Sequence, residues 1–142
     1  MYNSILVPVD GSDASKHAVK HALELAADVD ASVHILHVVS LNESRNVDVQ
    51  RIEQGQLIND LEVTGDEIIE ESLPTGDTSP VSLTQSVMFG RPDRKILKHI
   101  RTESPDLVIM GSRGRTGVQR MILGSVAENV ARRSSVPVQL IP

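Results

Sequence analysis

Short apolar runs alternate along the chain with longer stretches in which apolar residues recur every three or four positions. An apolar run is typical of a strand buried on both faces of a parallel sheet, whereas the longer spacing is typical of a helix that buries one side. The pattern predicts strands at 5–9, 33–39, 81–88, 107–110 and 137–141. Helices are predicted between them, with the second as one helix or two, at 14–29, 46–72, 92–100 and 125–133.

This regular alternation predicts an α/β fold, a five-stranded parallel sheet with helices on both faces. The 142 residues fit a single domain, which we expect to span 1–142, without a linker or an internal repeat. Apolar and hydroxyl residues alternate within 81–88, so this strand is expected at a sheet edge. In such sheets ligands bind at the carboxyl ends of the strands, where the strand order reverses. If the first and fourth strands are neighbours, Asp10 and Gly111 meet at that edge.

The most informative segment joins the fourth strand to the last helix. From Gly111 to Ser125 it follows the spacing Gly-x2-Gly-x9-Gly-Ser. Glycine lets the backbone approach an anion closely, and the free N–H groups at a helix start attract negative charge. The segment adds positive charge at Arg113, Arg115 and Arg120. It predicts a phosphate-binding loop, with a connection that only turns the chain as the alternative.

Composition excludes several function classes. One Tyr and one Phe leave no aromatic platform for single-stranded nucleic acid, and a net charge of −5 gives no basic field to attract DNA or RNA. The chain has no cysteine, so disulfides and Cys-zinc sites are excluded. No apolar run is long enough to span a membrane, and the first residues do not resemble a signal peptide, so we expect a cytoplasmic protein without membrane contact.

The chain resembles the universal stress protein family over essentially its whole length. The resemblance is carried by Val-Pro-Val-Asp-Gly-Ser at 7–12, His-Val at 37–38, Asp-Leu-Val-Ile-Met-Gly-Ser-Arg-Gly-Arg-Thr-Gly at 106–117, Leu-Gly-Ser-Val-Ala-Glu-Asn-Val at 123–130 and Pro-Val at 137–138. The ATP-binding branch of that family carries the same glycine loop. The resemblance therefore implies an ATP-binding, homodimeric, cytoplasmic stress-response protein with a Rossmann-like or flavodoxin-like strand order, 3-2-1-4-5.

The same resemblance implies a set of nucleotide-binding residues. Asp10 is expected on the ribose and adenine side of the site, where a carboxylate suits a sugar hydroxyl. Pro8 and Val9 would line the entry, the backbone of Val38 would bind the adenine edge, and Met110 would touch the ribose together with the first loop glycine. The phosphates would be wrapped by Gly111, Ser112, Arg113, Gly114, Gly124, Ser125, Val126 and Ala127.

The chemistry expected at this site is binding, with slow ATP hydrolysis at most. Ser125 would donate to a phosphate oxygen or face a Mg²⁺ held by the phosphates. No P-loop lysine or water-activating base is evident, so no catalytic residue is assigned. The role predicted is a regulatory module that acts through an unidentified protein partner.

Three other classes stay open as alternatives. An adenylyl-transferring or ATP-pyrophosphatase enzyme would carry a His-Ile-Gly-His-like or Ser-Gly-Gly-x-Asp-Ser-like signature after the first strand, and residues 9–15 carry neither. A phosphoacceptor receiver domain needs clustered acids, and Asp10 stands alone. An interaction module that ignores nucleotides is disfavoured by the intact glycine loop.

The histidines and Asp10 also have simpler interpretations. His17 and His21 have a metal-ligand spacing on the first helix, but a surface position is favoured over a metal site. His34 and His37 lie three apart on a strand, so they point to opposite faces and cannot share an ion. Asp10 is placed, like Ser12, to cap the first helix, a role compatible with ribose binding.

The terminal strand predicts the mode of assembly. Residues 136–141 would lie at the sheet edge and carry no charge that discourages pairing. Two such edges related by a two-fold axis can pair antiparallel, and the resemblance implies the same homodimer.

Overall fold

The computed structural model of this chain describes residues 2–40, 56–76, 80–113 and 124–142. Strands and helices alternate along the whole of this part, as the hydrophobic pattern predicts. The elements are β1 (Ser4–Val9), α1 (Asp13–Val29), β2 (Ser32–Val39), α2 (Gln56–Ser72), β3 (Leu83–Phe89), α3 (Pro92–Glu103), β4 (Leu107–Gly111), α4 (Ser125–Arg133) and β5 (Val138–Ile141).

The five strands form one parallel sheet in the order β3-β2-β1-β4-β5. This order confirms the predicted α/β fold and its 3-2-1-4-5 topology. The strand with alternating polar residues, β3, lies at one edge as predicted, and β5 lies at the other. The predicted helix 46–72 corresponds to α2, and its part at 46–55 lies outside the described residues.

The sheet separates two aliphatic cores. On one face Ile5 and Val7 of β1 pack with α1 and with Ile69 of α2. On the other face Leu6 packs with α3 and with Val130 of α4. Alternate residues of one strand thus enter opposite cores, as the two-residue period of a strand requires. Both cores are built from Val, Ile, Leu and Ala, with Met110 at the edge of the second, in line with the scarcity of aromatic residues.

Two carboxylates tie elements together, one at the amino ends of the strands and one between two helices. The carboxylate of Asp106 accepts the amides of Asn3 and Ser4 at 2.8 and 3.0 Å, which fixes the start of β1 beside β4. The buried carboxylate of Asp93 accepts from Nε of Arg91 at 2.8 Å and from Nδ2 of Asn129 at 3.0 Å. The second contact joins α3 to α4 and leaves the buried carboxylate paired, as burial of a charge requires.

None of the helices in the described part of the chain is long and apolar enough to cross a membrane.

Candidate functional site

A cavity of about 260 Å³ opens at the carboxyl ends of β1, β2 and β4. The strand order reverses between β1 and β4, whose register pairs are Ile5 with Leu107 and Leu6 with Val108. Ligands of open α/β sheets bind at this reversal. The cavity is lined by Pro8, Val9, Asp10, Ser15, Leu36, His37, Val38, Ser40, Pro92, Ile96, Met110, Gly111, Arg113, Gly124, Ser125, Val126 and Ala127.

Most residues of the predicted site therefore line one cavity. Ser112 does not line it, and its backbone instead joins two elements beside it. The amide of Ser112 donates to the carbonyl of Ile141 at 2.8 Å, and its carbonyl accepts from the amide of Gly124 at 2.8 Å. Gly114, together with Arg115 and Arg120, lies outside the described residues.

Six lining residues were not among the site residues that the sequence suggested. Leu36 and Ile96 read as ordinary core positions because their side chains belong to the apolar pattern. Pro92 reads as the first residue of a helix, which it is. Ser15, Ser40 and His37 were not assigned to the site, although His37 belongs to the His-Val pair at 37–38, because their place at the cavity depends on how the strands and helices pack.

The cavity lining combines apolar side chains with a carboxylate. Leu36, Ile96 and Met110 come from three elements and form an aliphatic wall. Asp10 follows β1, and its Oδ1 accepts from the amide of Ser12 at 2.9 Å. Within the described residues, no hydrogen bond reaches its other oxygen, Oδ2. The lining therefore offers apolar contact together with a hydrogen-bond acceptor.

The cap of α1 is Ser12 and not Asp10. The hydroxyl of Ser12 accepts from the amide of Ser15 at 3.1 Å, which satisfies one of the free N–H groups at the helix start. Of the two residues that the sequence placed at this cap, Asp10 is left to hold the turn that leads into the helix. One oxygen of its carboxylate therefore accepts from the amide of Ser12 in the turn, and the carboxylate does not serve as the cap of the helix.

The start of α4 also lines the cavity. Gly124 precedes the helix with φ −61° and ψ 146°, and no side chain caps this end. The first amides of a helix have no partner within it, so the amides of Ser125, Val126 and Ala127 are available to an acceptor. Arg113, two residues after the end of β4, adds a positive charge to the lining. Uncapped amides, the helix dipole and an arginine together favour an anion.

The model of the universal stress protein family matches residues 1–142 of this chain. The chain belongs to this family. The resemblance found in the motifs at 7–12 and 106–117 is thereby confirmed, and the strand order of the sheet agrees with it.

Individual members give the same result. Universal stress protein MJ0531 of Methanocaldococcus jannaschii is 32% identical over 142 residues, covering 99% of this chain and 82% of that protein. The solved structure of MJ0577, from the same organism, is 29% identical with a TM-score of 0.79, covering 99% of this chain and 96% of that one. A universal stress protein solved in complex with cAMP shares the fold, at 24% identity and a TM-score of 0.62, with coverage of 99% and 96%.

His34 and His37 point to opposite faces of the sheet, as the sequence predicts. His37 packs on the side of α2, whereas His34 faces α3. His17, on α1, places Nδ1 3.0 Å from the carbonyl oxygen of Pro142. Among residues 2–40, 56–76, 80–113 and 124–142, no group of three or more His, Cys, Asp or Glu is arranged to hold a metal ion.

A second cavity, of about 530 Å³, lies on the α3 face away from the first and contains a pair of stacked histidines. The rings of His34 and His99 lie 5.0 Å apart at an angle of 19°. The ring nitrogens of His34 lie 2.6 Å from Oγ1 of Thr84 and 2.8 Å from Oγ of Ser86. Burial lowers the pKa of His34, the charge of His99 lowers it further, and Glu103 raises it in part. Burial likewise lowers the pKa of His99, and the charge of Glu103 partly offsets this by raising it.

Proposed function

We propose that this universal stress protein binds ATP in the cavity at the strand-order reversal and acts as a nucleotide-dependent regulatory module. The observation that carries the proposal is the polarity of one cavity. A carboxylate, Asp10, lines the same cavity as the uncapped start of α4 and Arg113. A nucleoside triphosphate has the matching set of groups, since its sugar hydroxyls donate and its phosphates accept.

We assign the base to the aliphatic wall and the sugar to Asp10. The aliphatic wall of Leu36, Ile96 and Met110 suits the faces of an adenine ring, and the backbone of Val38 would bind its edge. Asp10 would accept a ribose hydroxyl on Oδ2 while Oδ1 stays with the amide of Ser12. Pro8 and Val9 line the entry beside it, and the volume of about 260 Å³ is close to the lower end of the roughly 300–1,000 Å³ of small-molecule sites.

The phosphates are assigned to the loop and the helix start. Ser125, Val126 and Ala127 bring the backbone amides of the first turn of α4 to the cavity, and Gly124 brings the backbone close without a side chain. Gly111 and Ser112 would approach the phosphates from β4, and Gly114 would approach them from the loop. A Mg²⁺ ion held by the phosphates would face the hydroxyl of Ser125, because hard cations take oxygen ligands.

An adenine nucleotide is also the ligand class recorded for a protein of the same fold. The universal stress protein known in complex with cAMP holds such a nucleotide, and the proposal extends this class to the present chain. We assign no catalytic residue and expect hydrolysis to be slow at best. Among the described residues that line the cavity, Asp10 is the one with a carboxylate, and the turn at Ser12 already engages one of its oxygens.

Native mass spectrometry of the purified protein tests the proposal. The spectrum should show a mass increase equal to an adenine nucleotide, and added ATP should complete the occupancy. The matched control is GTP, whose purine carries different edge groups and should be retained less. A spectrum in which ATP is not retained at all would reject the proposal.

The proposal includes a homodimer that pairs through residues 136–141, with one nucleotide site in each subunit. Carbonyls of Pro137 and Ile141 accept from amides of Val108 and Ser112, so these two residues direct their polar groups toward β4. Because strand residues alternate in direction, Val138 directs its backbone groups to the outer edge. This edge supports antiparallel pairing with a second copy. Cytoplasmic location, the absence of nucleic-acid or membrane partners and a regulatory protein partner belong to the same proposal.

A further inference from the structure

His37 is a buried polar residue at the point where β1 and β2 end. Its side chain is 6% exposed, and its Nδ1 lies 2.8 Å from the carbonyl oxygen of Val9. A carbonyl oxygen can only accept, so Nδ1 carries the proton in this contact. The contact thus defines the tautomer of the ring, with the N–H of Nδ1 donating to the carbonyl of Val9.

This hydrogen bond spans the last register pair of the two strands. Val9 pairs with His37 in the parallel ladder, and the ladder between β1 and β2 ends there. The next residue on one strand is Asp10, and the next on the other is Val38. These are the two residues to which the proposed function assigns the ribose and the adenine edge. A bond between their immediate predecessors therefore sets the spacing between them.

The neighbouring helix is shaped to accept the imidazole ring. A Cβ on Gly65 of α2 would lie 3.4 Å from Cδ2 of His37 and 2.9 Å from Cγ1 of Val87. Glycine inside a helix costs about 1 kcal/mol relative to alanine, so its presence here needs a packing reason. The close approach of α2 to β2 and β3 supplies that reason, and it also encloses the ring against Val9.

We propose that His37 is a positioning residue for the nucleoside, an inference that rests on the proposed function. By donating to the carbonyl of Val9, it holds Asp10 and Val38 at the separation that a base and its ribose require. It acts on the nucleoside end of the ligand and not on the phosphates, which lie at the start of α4.

Two substitutions separate this role from simple packing. His37→Leu fills similar space without a donor, and His37→Asn places an amide Nδ2 close to the position of Nδ1. His37→Leu should weaken the binding of ATP and of adenosine by the same factor, about 5- to 10-fold, the scale of one hydrogen bond. It should leave tripolyphosphate binding unchanged. His37→Asn should restore most of the loss.

Calorimetric titration of both variants and of the wild type decides the matter, with thermal unfolding to confirm that each is folded. Equal affinity of the wild type and a folded His37→Leu variant for ATP overturns the inference. So does His37→Asn binding as weakly as His37→Leu, or an equal loss for tripolyphosphate, because each points to general loosening of the fold.

A measurement without nucleotide keeps the inference distinct from the proposed function. Nitrogen NMR of the His37 ring should show the proton on Nδ1, and the amide of Asp10 should exchange faster in His37→Leu than in the wild type or in His37→Asn. A proton on Nε2, or unchanged exchange, overturns the positioning role. If these results hold while the wild type binds no adenine nucleotide, the proposed function fails and the strand-end contact stands.

Discussion

Gly111 and Ala14 are packed so closely that a side chain on the glycine has no space. A Cβ built on Gly111 would lie 2.9 Å from the Cβ of Ala14 and 2.8 Å from the carbonyl carbon of Ala14. It would also lie 2.9 Å from the amide nitrogen of Ser15. The end of β4 thus rests on the first turn of α1, and two segments far apart in the sequence form one wall of the cavity. The contact involves backbone atoms, so a rotamer change cannot relieve it.

Gly111→Ala should therefore displace the start of α1. Overpacking of this kind costs about 1–3 kcal/mol of stability. Because Asp10 and Ser12 lead into the displaced turn, ATP affinity should fall as well. Urea unfolding and calorimetry measure the two effects. A Gly111→Ala protein with wild-type stability and affinity would contradict the packing argument.

Removal of the carboxylate at Asp10 should weaken ATP binding by about 1–3 kcal/mol, the scale of a hydrogen bond to a charged group. Asp10→Ala also removes the acceptor for the amide of Ser12, so Asp10→Asn is the matched variant that keeps an oxygen for the turn. Calorimetry with ATP and with 2′,3′-dideoxy-ATP separates the two roles. If the wild type binds both nucleotides equally well, Asp10 does not recognise the ribose.

The stacked histidines predict a loss of stability in mild acid. Burial lowers the pKa of His34 and of His99 in the folded protein, so the unfolded chain, with a histidine pKa of about 6.5, binds more protons. Stability is thus complete above about pH 6.5 and falls as the pH drops toward the lowered folded values. His99→Gln should reduce this pH dependence, whereas His21→Gln, on the exposed side of α1, serves as the control.

Urea unfolding at pH 7.5 and pH 5.0 measures this effect. Glu103 raises the pKa of both histidines and so opposes the loss of stability in acid. The variant Glu103→Gln is therefore expected to lose more stability in acid than the wild type. An equal change in stability for the wild type and for His99→Gln would show that the stacked pair does not titrate as described.

Much of the fold follows from local patterns, but the positions that depend on neighbouring strands do not. Pro92 begins α3, and the apolar runs mark all five strands, because sequence periodicity reports burial directly. The predicted third strand, 81–88, is observed as Leu83–Phe89, because its register with β2 continues to the pair of Val39 with Phe89. That pairing is set by a strand more than 40 residues away in the sequence.

The residues of the site likewise divide into those that sequence spacing indicates and those that depend on packing between elements. Residues in the glycine motif and beside Asp10 are evident from spacing, since phosphate binding needs glycine and a helix start in fixed order. His37 carries no such signal, because its function lies in a bond to Val9 across the ladder. In the sequence, Gly65 only makes a helix less favourable. The structure shows why a glycine stands there, since a Cβ at this position would lie 2.9 Å from Cγ1 of Val87.

The outer edge of β5 gives a prediction for assembly. Val138→Pro removes an outward N–H without removing a ladder bond to β4, and proline is tolerated at such edge positions. The wild type should be a dimer at micromolar concentration and Val138→Pro a folded monomer. Val138→Ala, which keeps the N–H, should remain dimeric. Light scattering checks this, and a dimeric Val138→Pro protein would place the interface elsewhere.

Calorimetric titration of ATP and adenosine into the wild type and Gly124→Val tests the central claim most directly. Gly124 has φ −61° and ψ 146°, angles that valine adopts readily, so the variant should fold. In the proposed assignment, the added side chain would lie where the phosphates approach the start of α4. ATP should bind the wild type and bind Gly124→Val more than about tenfold more weakly, equivalent to about 1.4 kcal/mol, while adenosine affinity is unchanged. Equal ATP affinity in the two proteins, or no ATP binding by the wild type, would contradict the account.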